Sequence, residues 1–118
     1  MRRIGDTWEA RARRQLEDGG LTLLAHNFST RFGELDLVML DGDTLVFVEV
    51  RYRRASQYGR AADSVTARKR ERLVRAANGF LAAHPQHADR TCRFDVIGFD
   101  GDDANAAGRW QQAAFDAF

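Results

Sequence analysis

Two carboxylates in the middle of the chain, Asp36 and Glu49, have the residue types and the spacing for metal-dependent chemistry. Each lies in a strand-like segment, and a short glycine-containing turn separates the two segments. Like charges that face each other on a sheet destabilise it, and a divalent cation such as Mg²⁺, which binds carboxylate oxygens, would offset that repulsion. The alternative is a solvated charged face in which Arg51 and Arg53 neutralise the pair.

The register of this hairpin decides how the two carboxylates meet. If residues 42–43 form the turn, Asp36 lies directly across from Glu49, and if residues 41–42 form it, the two are diagonal neighbours. Both registers leave the carboxylates on one face of the sheet, because strand side chains alternate with a period of two. A three-residue loop would break this arrangement and is the less favoured turn.

The elements that must position this pair follow the order α-β-β-β-α-β, with a short strand at the end. Asp6 and Glu9 form a capping-box pattern that predicts a helix over residues 7–18. Strands are predicted over residues 21–28, 33–40, 44–53, 92–99 and 109–112, and a long helix over residues 64–84. Together they predict one α/β domain over residues 1–118, with a mixed central sheet flanked by two helices.

Alternation also predicts which face of the hairpin is buried. The face opposite the carboxylates is apolar throughout, which predicts that it is buried in the core. Its members are Leu35, Leu37, Met39, Val46, Val48 and Val50. Asp95, in the strand over residues 92–99, is expected to be structural and to pair with an arginine, the alternative being that it adds negative charge near the site.

The basic residues are distributed unevenly along the chain. The net charge is only +1, and Lys69 is the only lysine among 18 bases. Residues 51–75 hold nine of these bases and two acids, directly after the hairpin. Coding bias in a GC-rich genome explains the excess of arginine but not this clustering. Because arginine binds phosphate oxygens in a bidentate manner, the cluster favours contact with a nucleic-acid backbone, the alternative being a solvated helix face.

The composition excludes several classes of protein. With 44% hydrophobic and 30% charged residues, the chain is typical of globular proteins and not of disordered ones. No apolar run approaches the roughly 20 residues of a membrane helix, and no apolar segment follows the basic N-terminus as in a secretory signal. The single cysteine, Cys92, fits a reducing cytosol, so we expect a cytoplasmic protein with no membrane partner.

Several segments taken together resemble a known family. The runs GELDLV (residues 33–38) and VFVEVRYR (residues 46–53) resemble the core of PD-(D/E)xK nucleases, where an acid begins one strand and E-x-K follows on the next. With RFDVI (residues 93–97), the chain is more closely similar to the small bacterial YraN-like, endonuclease-like family, related in fold to Holliday-junction resolvases. The likeness runs from the first helix to about residue 98.

This resemblance implies a restriction-endonuclease-like αβββαβ core and a phosphodiesterase site that depends on Mg²⁺ or Mn²⁺. Carried over residue by residue, Asp36 and Glu49 would be metal ligands and the carbonyl of Val50 a third oxygen ligand. Glu9 matches the acid that the first helix contributes in resolvase-like members. With Arg51, these carboxylates form the predicted catalytic set.

Arg51 departs from the superfamily pattern, which has lysine at this position. Arginine cannot be deprotonated and so cannot act as a general base, but it can stabilise charge on a phosphate. Whether the protein cuts DNA therefore depends on this position. Lys69 is expected to be a solvated base on the helix surface, the alternative being that it reaches the site from the helix.

The implied partner is structured or branched DNA, bound through its backbone and not read by sequence. Backbone contacts are predicted for Arg53, Arg54, Tyr58, Arg60, Arg68, Lys69 and Arg72. Two other functions compete with the nuclease: a catalytically inactive nucleic-acid-binding module of the same fold, and a dimeric protein-interaction scaffold. By analogy with resolvases, which act on two strands, a homodimer is expected.

Overall fold

Two helices and five strands make up the fold in the computed structural model, which describes residues 4–54, 61–101, 103 and 105–116, without the side chains of residues 4–7, 62 and 63. In chain order these elements are α1 (Ile4–Asp18), β1 (Thr22–Thr30), β2 (Gly33–Asp41), β3 (Thr44–Arg53), α2 (Ala67–Ala83), β4 (Cys92–Asp100) and β5 (Arg109–Phe115). Short 3₁₀ turns at Ala61–Ser64 and Pro85–His87 precede and follow α2. No helix in the described part of the chain is long and apolar enough to cross a bilayer.

The strands form one mixed sheet in the order β1-β2-β3-β4-β5. Strands β3 and β4 are parallel, and every other neighbouring pair is antiparallel. Because two parallel strands need a crossover connection, α2 lies between β3 and β4 in the chain and packs on one face of the sheet. The predicted αβββαβ order, mixed sheet and two flanking helices are confirmed, and the fold is of the restriction-endonuclease-like type.

The helix boundaries differ from the predicted ones at their N-terminal ends. Helix α1 already begins at Ile4, so Asp6 lies inside the helix and the predicted capping box is wrong. Helix α2 begins at Ala67, three residues later than predicted, because the side chain of Thr66 caps it by accepting a hydrogen bond from the Lys69 N–H at 3.2 Å.

The sheet separates two hydrophobic cores, which we call the α1 side and the α2 side. Each helix contributes apolar residues at helical spacing to its core, because such residues form a stripe along one face of the helix. On the α1 side these are Trp8, Ala12 and Leu16, packed against Leu37, Met39, Val46, Val48, Ile97 and Phe99. On the α2 side they are Leu73, Ala76, Ala77 and Phe80, packed against Leu35, Val38, Leu45, Phe47, Phe94 and Val96.

Strand β2 changes the direction of its side chains at Asp36. Leu35 packs on the α2 side, whereas Leu37, two residues later, packs on the α1 side. Regular alternation would put both leucines on one face, so the prediction that Leu35 shares the core face with Leu37 is wrong. The remaining members of the predicted core face do pack on the α1 side.

Strand β1 changes direction at the positions paired with these residues. Phe28, paired with Leu35, packs on the α2 side, and His26, paired with Leu37, lines a cleft against helix α1. Between them, Asn27 has a left-handed backbone conformation with φ of 51°. A left-handed residue interrupts the pleat of a strand, which accounts for the change of face in both strands.

A buried ion pair attaches β5 to the rest of the sheet. Asp95 is fully buried on β4, and its oxygens accept hydrogen bonds from Arg93 Nε at 3.0 Å, Trp110 Nε1 at 2.9 Å and the Ala113 N–H at 3.0 Å. Arg93 also donates to Asp41 Oδ2 at 2.9 Å. The expectation that Asp95 is structural and pairs with an arginine is confirmed.

Candidate functional site

The hairpin of β2 and β3 brings Asp36 and Glu49 together. Its pairing runs from Asp41 opposite Thr44 to Leu37 opposite Val48, which is the register predicted for a turn at residues 42–43. Continued by one residue, this register sets Asp36 across from Glu49. The ladder ends before that point, and the Asp36 carboxyl instead accepts a hydrogen bond from the Val50 N–H at 2.9 Å.

Asp36 is the carboxyl whose proton affinity is most altered. The pKa of Asp36 is raised from 3.8 to about 9, first by burial and then by the charge and hydrogen bond of Glu49 and the charge of Glu9, against the opposing hydrogen bond from Val50. Asp36 therefore holds a proton at neutral pH in the metal-free protein.

Glu49 is the most enclosed of the carboxylates at the site. Its side chain is 4% exposed, and its Oε2 atom lies 3.3 Å from Arg51 Nη1 and 3.2 Å from Lys69 Nζ. Arg51 is itself oriented by the Ser64 hydroxyl, which accepts a hydrogen bond from Arg51 Nε at 2.8 Å. A buried carboxylate is costly unless it is paired, and here two cations of different chemistry pair with it.

Lys69 reaches the site, against the preferred expectation of a solvated helix base. Sequence reasoning gave this alternative less weight, although the helix pattern contained a signal for it. Lys69 lies four residues before Leu73 and seven before Ala76, both of which are buried against the sheet. Its side chain therefore starts on the inward face of α2 and extends to Glu49.

Further carboxylates collect on the α1 side of Asp36. Oxygen atoms of Glu9, Glu34 and Asp36 lie within 4.8 Å of one another. Sequence reasoning assigned Glu34 no role, although its position two residues before Asp36 on the same strand was the available signal. Asp36 therefore has Glu9 and Glu34 on one side and the pair of Glu49 with Lys69 on the other.

The donor atoms of the site fit a hard divalent cation. The oxygens that lie within 4.8 Å of one another are those of Glu9, Glu34 and Asp36, with Glu49 beside Asp36, and such ligands suit Mg²⁺ and Mn²⁺. Val50, whose carbonyl was predicted as a third oxygen ligand, donates its N–H to the Asp36 carboxyl at 2.9 Å. Burial is the first cause of the raised pKa of Asp36, and the charges of Glu49 and Glu9 add to it; a bound cation would relieve the repulsion between these carboxylates.

The predicted backbone-binding residues lie on two neighbouring elements. Arg53 is half-buried at the end of β3 and Arg54 follows it exposed, while Arg68 and Arg72 are exposed on α2. Tyr58 and Arg60 lie outside the described residues. The first turn of α2 contains no acidic residue, so its bases add to the positive end of the helix dipole, which favours a bound anion.

A cleft of about 440 Å³ adjoins the acidic group. It lies between helix α1 and the edge strand β1, with Glu9 and Asn27 among its walls and Arg13, Arg14, Glu17 and His26 around it. Sequence reasoning did not predict this cleft, because the direction of His26 depends on the change of face in β1.

The fold and the site together define a restriction-endonuclease-like domain with an acidic pair where its central hairpin opens. The chain belongs to the uncharacterised protein family UPF0102, whose model matches residues 8–99. A UPF0102 protein of Stutzerimonas stutzeri is 50% identical over 113 residues, which cover 96% of this chain and 94% of the relative. The UPF0102 protein YraN of Escherichia coli O139:H28 is 48% identical over 115 residues, covering 97% and 85%. A relative from Xanthomonas campestris is 58% identical over 98 residues, covering 83% and 80%.

Proposed function

We propose that this protein is a Mg²⁺- or Mn²⁺-dependent nuclease that binds structured or branched DNA and hydrolyses its phosphodiester bonds. The observation that supports this most is the enclosure of Glu49 between Lys69 and Arg51, directly beside the protonated Asp36. Clusters of this kind, in which burial and neighbouring charges perturb a carboxyl group, are typical of functional sites.

The carboxylates of Asp36 and Glu49, the Val50 carbonyl and, from α1, Glu9 would hold the cation. When bound, a divalent cation lowers the pKa of a water molecule and neutralises phosphate charge. The chain's own contribution is to hold these oxygens in place: β2 and β3 carry them on a rigid hairpin, and the Val50 N–H orients Asp36.

Arg51 and Lys69 have separate roles in this proposal. Arg51, fixed by Ser64, contacts the phosphate and stabilises the negative charge that develops on it. In the superfamily a lysine lies two residues after the glutamate, where this chain has Arg51. Lys69 takes over the role of that lysine, because a lysine can exchange a proton with water and an arginine cannot.

The DNA backbone would lie along the basic half of α2 and the end of β3. Arg68 and Arg72 on α2 contact phosphates, with Arg53 and Arg54 on β3 and with Tyr58 and Arg60 from the following segment. Because these contacts release counterions, affinity should fall steeply with salt and depend little on sequence.

Cleavage assays test the proposal directly. Junction, flap, single-stranded and duplex DNA are incubated with the wild type in Mg²⁺, Mn²⁺ or EDTA, and with the Glu49→Ala and Asp36→Ala variants. Cleavage of a branched substrate should require the cation and both carboxylates. Asp43→Asn, at the exposed opposite end of the same hairpin, is the matched control and should cut normally. Equal cleavage by Asp36→Ala and wild type would refute the proposal.

A binding protein without catalysis is the second candidate. Arginine at position 51 favours it, since this residue replaces the lysine of the active pattern and cannot act as a base. It predicts salt-dependent DNA binding that persists in Asp36→Ala, with no cleavage in either metal. The assays above separate the two candidates without further variants.

A homodimer in the bacterial cytoplasm is the proposed working form. Two copies would place two sites on the two strands of a junction, and the single cysteine suits a reducing compartment. Sedimentation velocity with and without junction DNA tests the dimer. A monomer in both conditions would refute it and leave the proposed chemistry unaffected.

A further inference from the structure

Asn27 occupies an unusual position in the sheet. It lies within β1, between His26, paired with Leu37, and Phe28, paired with Leu35, so it is across from Asp36. Its φ of 51° is left-handed, a conformation that costs free energy in a strand and that asparagine tolerates better than most residues. Non-glycine residues held in such conformations tend to cluster at functional sites.

The side chain of Asn27 faces the acidic group beside Asp36. In the orientation that satisfies both ends of the amide, its nitrogen donates to Glu9 Oε1 at 2.7 Å and to Glu34 Oε1 at 3.2 Å. Its oxygen accepts from His26 Nδ1 at 3.3 Å. One neutral amide therefore bridges a carboxylate on α1 and a carboxylate on β2.

We propose that Asn27 is a positioning residue that holds Glu9 toward Asp36, so that the two carboxylates can share a divalent cation. This inference rests on the metal dependence of the proposed function. Charged carboxylates this close together repel, as Glu9 and Glu34 do beside Asp36, and the amide of Asn27, which donates to both, offsets that repulsion in the metal-free protein. Residues that hydrogen-bond to metal ligands in this way commonly raise metal affinity about 10- to 100-fold.

The backbone and the side chain of Asn27 have separable roles. The left-handed backbone turns two successive side chains of β1 toward α1, and glycine would keep this conformation without strain. The amide orients Glu9 and Glu34, and glycine would remove it. Asn27→Gly therefore tests the amide alone, whereas a branched replacement would also disturb the strand.

Mn²⁺ affinity in the absence of DNA is the decisive measurement. Isothermal titration or electron paramagnetic resonance gives the dissociation constant of Mn²⁺ for the full-length wild type and for Asn27→Gly, and the melting temperature of each metal-free protein reports folding. Ala113→Gly is the matched control, because Ala113 is the other described non-glycine residue with positive φ and lies in β5.

We expect Asn27→Gly to bind Mn²⁺ about 10- to 100-fold more weakly than the wild type, with a folded metal-free state. Ala113→Gly should bind Mn²⁺ as the wild type does. Wild-type affinity in Asn27→Gly would overturn the inference and leave the proposed nuclease intact. A wild-type protein that binds neither Mn²⁺ nor Mg²⁺ would overturn both.

Discussion

Lys69 and Glu49 connect helix α2 to strand β3 through an ion pair of 3.2 Å between Nζ and Oε2. The carboxylate is buried and the lysine is about one-third exposed, so one end of the pair is fixed and the other can meet a ligand from solvent. Arg51 Nη1 lies 3.3 Å from the same oxygen. The only lysine of the chain thus stands beside the arginine that replaces the lysine of the nuclease pattern.

Replacing Lys69 by methionine should separate catalysis from binding. We expect single-turnover cleavage by Lys69→Met to fall by about 10²-fold or more, because methionine removes the ammonium group that the proposal assigns to proton exchange with water. DNA affinity should fall only by the small factor expected of one lost cation. Rapid-quench cleavage and fluorescence anisotropy measure the two quantities.

Two variants control for the charge of Lys69. Arg70→Met removes a base from the same turn of α2 and should leave the cleavage rate unchanged, since Arg70 lies over the Phe115 ring, 5.4 Å from its centroid. Lys69→Arg keeps the charge but not the proton exchange and should remain slow. Wild-type cleavage by Lys69→Arg would show that only the charge matters.

The stability of the metal-free protein should fall as pH rises, because of Asp36. Its pKa is raised from 3.8 to about 9 on folding, so between these values only the folded state holds the proton. Folding then takes up a proton, and the free energy of unfolding decreases with pH until the folded pKa is passed. Urea titrations at pH values across this range should show the decrease in the wild type and a weaker one in Asp36→Asn.

Mg²⁺ should counteract this decrease. A cation competes with the proton on Asp36, so its stabilising effect should grow as pH rises through the same range. Asp43→Asn should keep the wild-type pH dependence, because its carboxylate is fully exposed at the hairpin turn. A pH dependence in Asp36→Asn as steep as that of the wild type would assign the titration to another group.

The hairpin was predictable from sequence because local chemistry determines it. Gly42 adopts a positive φ of 60° in the turn, and the strand over Thr44–Arg53 has the predicted bounds. Turn and pattern limited the hairpin to two registers with both carboxylates on one face, and the structure has the one with the turn at residues 42–43.

The α1 side of the site was not predictable in the same way. The change of face that separates Leu35 from Leu37 depends on one left-handed residue, Asn27. A single asparagine within a strand-like segment is not enough to predict a left-handed backbone. The group of Glu9 with Glu34 follows from this change and from the packing of α1. The change of face and the packing of α1 are tertiary effects, which the hydrophobic periodicity of the sequence does not predict.

Arg93 should be among the most costly residues to remove. Arg93→Met leaves the carboxylate of Asp95 fully buried without its cation, which we expect to lower the free energy of unfolding by about 3–5 kcal/mol. Urea denaturation followed by tryptophan fluorescence measures it, since Trp110 donates to the same carboxylate. Arg90→Met, which removes a 3.8 Å pair with the exposed Asp43 and hydrogen bonds to His87 and to the Asp43 carbonyl, should cost less, about 1–2 kcal/mol. Equal losses in the two variants would contradict this role.

Gly19 should tolerate no side chain, because it faces the ring of Trp110 at the end of α1. A Cβ atom at this position would lie 2.8 Å from Trp110 Cζ3 and 3.3 Å from the Leu16 carbonyl oxygen. Gly19→Ala must therefore displace the tryptophan and with it β5, at a cost of about 1–3 kcal/mol in urea denaturation. In Gly79→Ala the new atom would meet Thr30 Cγ2 at 3.3 Å, and the gain of about 1 kcal/mol in helix propensity offsets that contact. Equal stability of Gly19→Ala and Gly79→Ala would show that the packing of Trp110 against the end of α1 does not help to hold β5 in place.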